Sequence, residues 1–244
     1  MATVTLPAGP GPGVAASGSN NLLRLPTLLG IIAGTVEVIA YLMLGGLFTA
    51  HVTGNLVVIA SFFARGGSPT APQVLAVPVF IVATGAVWLV AKVSDKRGDL
   101  LVRPLLVLHF VLLVVVLTVC VVFHVNTQSG GLSATVAAAA ATSAIACQFV
   151  LLRLAVPGAP STAVMTGNLT NAQLSVLEMV WRSRPLMPAD DGRMKRTLGL
   201  VVGFCGGCVA GAVAVLLLGD WAWALPVALA GLAFGLAPAS RAHA

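Results

Sequence analysis

The sequence predicts an all-α polytopic membrane helix bundle, with six spanning helices plus two short re-entrant or broken helices, built as two inverted-topology repeats. Three observations carry this. The chain is strongly apolar, its basic residues fall between long apolar runs, and one motif occurs twice. Of 244 residues, 58% are hydrophobic and 8% charged, with a mean hydropathy of +1.02. A water-soluble domain carries about a quarter charged residues, so most of this surface must face lipid. Backbone groups in lipid pair within the chain, leaving helices or a closed barrel. The runs lack the alternation of barrel strands, so helices are expected.

Residues 1–26, rich in Gly, Pro, Ala and Ser, lack the basic start of a secretion signal and read as a disordered tail. Runs at 27–47, 73–92, 104–124, 132–154, 197–218 and 221–238 are long enough to cross, given about 20 residues for a bilayer core. The segment 53–64, bounded by Thr53 and Arg65, would reach only about 18 Å as a helix. The segment 166–181 carries Asn168, Asn171, Gln173 and Glu178. Both read as half-helices within a single membrane domain, 27–238, followed by a short tail at 239–244.

Charge placement tests that reading. With six crossings and an inside N-terminus, the cytoplasmic side receives Arg24, Lys92, Lys96, Arg97, Arg103, Arg153, Arg182, Arg184, Arg193, Lys195, Arg196 and Arg241. Only Arg65 is left outside. If both short segments also crossed, the split would be eight against five. The positive-inside rule favours six crossings with both termini cytoplasmic; seven crossings, with 166–181 spanning, is the runner-up. The formal charge of +6 therefore reports topology, and nucleic-acid binding is not expected. Cys120, Cys147, Cys205 and Cys208 all lie in apolar runs, as small hydrophobes do.

Thr49-Ala-His-Val-Thr-Gly-Asn-Leu56 matches Thr162-Ala-Val-Met-Thr-Gly-Asn-Leu169 at six of eight positions, 113 residues apart. Each copy follows a long run and precedes a short helix and two more runs. Repeat one is 27–124 and repeat two 132–238. Three crossings per half invert the second copy, as in many secondary transporters.

The stretch Gly34-Thr-Val-Glu-Val-Ile-Ala-Tyr-Leu42, with Gly46-Leu-Phe-Thr-Ala-His-Val-Thr-Gly-Asn55 and Met165-Thr-Gly-Asn168, resembles the uncharacterised YoaK-type family of bacterial membrane proteins over about 27–238. The resemblance implies a multi-pass protein of the bacterial plasma membrane and supplies no substrate. That family commonly has Asp at the position of Glu37.

The candidate substrate-binding residues are Glu37, Tyr41, His51, Thr53, Gly54, Asn55, Thr166, Gly167 and Asn168. Thr53 and Thr166 are expected to cap the helices that follow. Gly54 and Gly167 permit close approach, and Asn55 and Asn168 add amides that donate and accept. A helix starting inside the membrane aims free N–H groups and partial positive charge ahead of it. The same features also suit simple capping and packing of two re-entrant helices.

Glu37 sits mid-run, where a carboxylate is costly and faces the protein interior or water. It shares a helix face with Gly30, Gly34, Tyr41 and Gly45, and is either titratable or locked to Tyr41 or a carbonyl. Val150 is its counterpart in the second half, flanked by Gln148 and Arg153, and Arg153 is expected to reach the cytoplasmic interface. His51 adds a titratable group to the first motif, or is structural. His109 and His124 have no carboxylate at ligand spacing, so neither metal nor cofactor is expected. Cys205-Gly-Gly-Cys208 sits on a ridge of Gly199, Gly203, Gly207 and Gly211, which suits tight helix packing.

Three functions follow. The first is a secondary transporter or facilitator of a small polar or anionic solute. The second is a non-transporting scaffold that binds a partner or lipid, and the glycine ridges would also permit a homo-oligomer. An enzyme is not expected: no paired aspartates, His-Glu-x-x-His zinc motif, Ser–His pair or Gly-Lys-Ser phosphate loop is present.

Overall fold

A computed structural model describes residues 12–94, 99–125, 131–155, 159–162, 164–181 and 191–237. The segments 1–11 and 239–244, and the basic residues Lys96, Arg97, Arg182, Arg184 and Arg241, lie outside them. The described chain is all-helical: α1 (Pro12–Met43), α2 (Val52–Arg65), α3 (Ala71–Val93), α4 (Asp99–Phe123), α5 (Leu132–Ala155), α6 (Met165–Trp181), α7 (Asp191–Leu218), a 3-10 turn (Gly219–Trp223) and α8 (Ala224–Leu236). Helix α1 begins upstream of the expected residue 27 and accommodates Pro26.

Five continuous segments are long and apolar enough to cross a membrane: Leu25–Met43, Ala71–Val93, Leu100–Phe123, Leu132–Ala155 and Met194–Leu236. The last has 43 residues; as one helix it would extend about 64 Å, twice a bilayer core. Gly219, with φ of 54°, breaks it at the 3-10 turn, so the two runs expected at 197–218 and 221–238 are two passages of one folded-back segment. Local signals set other boundaries. Thr70 and Gln73 form a reciprocal capping box that starts α3.

Helix directions follow from who meets whom. On α7, Gly203 faces Thr27 and Ile31, and Gly211 faces Thr35 and Ile39, so α1 and α7 run parallel. The first turns of α3 share a narrow gap with the first turns of α5, and Phe80 further along meets Phe149; these two are also parallel. Cys147 donates to the Leu105 carbonyl and His109 Nδ1 lies 2.8 Å from the Ala144 carbonyl, which makes α4 and α5 antiparallel. Helices α4 and α8 are antiparallel as well, with Gly231 against Phe110 and Arg103 over Phe234.

At the end of α4, His124 Nδ1 sits 3.4 Å from Asp220 in the 3-10 turn. The C-terminal ends of α4 and α7 therefore share one end of the bundle. It follows that α1 ends, and α3 begins, at that same end. The connection through α2 leaves and returns without crossing. By the same reasoning α6 returns to the opposite end, where Lys92, Arg103, Arg153, Lys195 and Arg196 cluster.

The α1–α7 seam is the tightest in the bundle. A Cβ on Gly203 would lie 2.7 Å from the Thr27 carbonyl oxygen, and one on Gly30 would lie 2.8 Å from that of Leu200. Only glycine lets these backbones approach so closely, which is how helices associate where apolar burial gives no drive. Thr35 adds a bond to the Gly207 carbonyl. The outer faces carry large apolar side chains, Phe63 and Leu216 among them, at 90% and 84% exposure, as lipid contact requires.

Candidate functional site

The first motif is organised around a buried carboxylate. Gly45 and Gly46, at φ of 74° and 73°, reverse the chain after α1, a conformation that costs glycine little. Residues 47–51 then run back alongside α1. The amides of Thr49 and Ala50 donate to Glu37 Oε2 at 2.8 and 2.6 Å, and the Thr49 hydroxyl donates to it at 2.8 Å. The other oxygen accepts the His51 amide at 3.1 Å and lies 2.8 Å from His51 Nδ1. Glu37 is six residues from the end of α1, so α2 starts about 9 Å below that helix end.

Asn55 braces the same loop. Its Nδ2 donates to the carbonyls of Phe48 and Val52, and its Oδ1 accepts the Phe48 amide. It is fully buried, so the amide is spent on its own chain. Thr53 is not the cap: α2 begins at Val52, its N-cap is His51, and no side chain caps it. Thr53 lies in the first turn, exposed, and the carboxylate holds the amides of the loop that precedes α2. Gly54 accommodates Phe48, whose ring a Cβ there would approach to 3.2 Å. Tyr41 is 48% exposed and stacks obliquely on Phe48; Glu37 is locked by amides, not by Tyr41.

The second motif repeats the frame with different chemistry. Asn168 Nδ2 donates to the Ser161 carbonyl at 2.7 Å, again seven residues back. Thr166 is exposed in the first turn of α6, and Gly167 faces Val164. Thr162 corresponds to Thr49, but its hydroxyl accepts from Gln148 Nε2 at 3.3 Å. That amide also reaches the Leu29 carbonyl at 3.0 Å. Gln148 therefore stands in for Glu37, two positions from the expected counterpart Val150. Its Oε1 is buried with no hydrogen-bond partner among the described residues. Sequence spacing missed this, because the side chain reaches its loop from a neighbouring turn.

Both short helices start against α7. His51 meets the Phe204 ring edge-on at 5.5 Å, and Met165 packs with Leu200 and Val201, which Phe204 also covers. Phe204 is level with Gly34, the middle of the segment Leu25–Met43. Beside α6 lies a cavity of about 500 Å³ lined by Arg153, Ser161, Asn168, Asn171, Arg196 and Thr197, among others. No group of three metal-ligating side chains occurs among the described residues. All four cysteines are free thiols.

A family model described as a protein of unknown function (DUF1275) matches residues 25–236. No curated protein and no solved structure matches the chain.

Proposed function

We propose that this chain, which belongs to the family of unknown function DUF1275, is a secondary transporter or facilitator of a small anionic solute across the bacterial plasma membrane. One observation carries the reading. Two short helices return to opposite ends of the bundle yet start against the same level of α7, at Phe204. Discontinuous helices whose starts meet near the midplane are a common way to build a solute site in an inverted repeat. The pairing of α1 with α7 has its counterpart in α3 with α5, which supports reading 27–124 and 132–238 as such repeats.

The two starts divide the work. The first is closed by Glu37, whose acceptor sites are filled by five donors; it acts as a fixed half. The second keeps an unspent acceptor on Gln148 and opens on the cavity; it acts as the solute-facing half. With the basic end cytoplasmic, the cavity faces the cell interior and both termini lie there.

Flux of radiolabelled carboxylates and phosphate into proteoliposomes tests this, with Asn168→Ala expected to cut uptake at least tenfold. No flux across a broad anion panel overturns it. The self-satisfied first motif favours a second reading, a non-transporting scaffold, and that outcome would leave it standing.

A further inference from the structure

The cavity beside α6 has a composition unusual for a membrane bundle. Arg153, on the last turn of α5, and Arg196, near the start of α7, both line it, with Asn168 and Asn171 along one side of α6 and Thr197 beside Arg196. Neither arginine forms an ion pair among the described residues. Arg196 Nε is buried with no hydrogen-bond partner among them, and a buried charged donor is costly until an acceptor meets it. A volume of about 500 Å³ lies within the range of small-molecule sites. It is larger than a bare inorganic ion needs.

The first half shows what the second lacks. There the chain supplies its own oxyanion, Glu37, to the loop before α2. In the second half Gln148, a neutral amide, meets Thr162 instead, and the charged side chains that line the cavity are two guanidiniums. We propose that the Arg153–Arg196 cavity binds the oxyanion of a small organic carboxylate or phosphate ester arriving from the basic end of the bundle. Guanidinium forks match such groups with two parallel bonds, while the asparagine amides orient the remainder. This rests on the second short-helix start being the solute-facing one, and it names the solute class.

An anionic lipid headgroup offers the same chemistry, so the test has two arms. Full-length protein in phosphatidylcholine nanodiscs is titrated at low salt with succinate, glycerol 3-phosphate and inorganic phosphate, read by calorimetry and thermal shift. At least one organic anion is expected to bind, and Arg196→Gln and Arg153→Gln each to weaken it at least tenfold. Arg196→Lys, which keeps charge but not the fork, should fall between. Arg65→Gln, at the opposite end, should leave affinity unchanged. If Arg196→Gln does not fold, Arg153→Gln, at an exposed position, decides alone.

No binding at millimolar concentration, or binding indifferent to both arginines, overturns the proposal. In the second arm, stabilisation by phosphatidylglycerol alone, lost in the same variants, overturns the solute and assigns the site to lipid. Flux in matched proteoliposomes separates the two readings. Binding without flux keeps the site and removes transport; flux that survives both substitutions keeps transport and removes the site.

Discussion

Glu37 shows how a carboxylate is tolerated at the middle of an apolar helix. Its charge is spread over three backbone amides, a hydroxyl and an imidazole, so the group is desolvated from water but not from donors. Removing the charge strands those donors in a buried site. Glu37→Gln is expected to destabilise the protein by about 3–5 kcal/mol, the scale for breaking a buried charged pair. Glu37→Asp should lose clearly less, since the carboxylate is kept one methylene shorter. Thermal unfolding in one detergent checks this; equal melting temperatures for wild type and Glu37→Gln would remove the locking role. A burial argument finds Glu37 in the sequence. It does not find its partners.

At the scale of elements, the seam between α1 and α7 is set by small residues. Gly34 and Gly207 are the most confined: a Cβ on either would overlap the facing backbone, that of Phe204 and Ile31 respectively. Gly206, one position away, has open space around it. Gly207→Val should therefore cost about 1–3 kcal/mol or more by overpacking, whereas Gly206→Val should be nearly neutral. Monodisperse yield and melting temperature distinguish them, and similar losses at both positions would show that helix propensity, not the seam, decides. The four-residue glycine spacing made this face visible in advance. Which helix it meets was not visible, because the residues that meet across the seam are far apart along the chain, 172 positions in the case of Thr35 and Gly207.

For the whole molecule, the arrangement places residue 68 and residue 92 at opposite ends of the bundle. In a cysteine-free background, Ser68→Cys should react with a membrane-impermeant maleimide from outside intact cells. Lys92→Cys should react only after the membrane is opened. Labelling of both from one side would overturn the six-passage topology and the orientation with it. The charge count leads to the same expectation, because Lys and Arg stay on the cytoplasmic side during insertion. The same physics clusters Lys92, Arg103, Arg153, Lys195 and Arg196 at one end.

Segment length, hydropathy and the duplicated Thr-Gly-Asn-Leu were enough to read the membrane class, the apolar runs and the two short helices. These are properties of local chain, since about 20 apolar residues must be helical wherever they meet lipid. The roles within the motif needed the tertiary structure. Two glycines with positive φ return the loop to Glu37, and α2 begins at Val52, which leaves Thr53 inside the helix and not at its cap. Gln148, from a neighbouring turn, takes the matching place in the second half. Hydrogen-bond partners are chosen by where loops come to rest against distant helices, and that is settled only when the seams are packed.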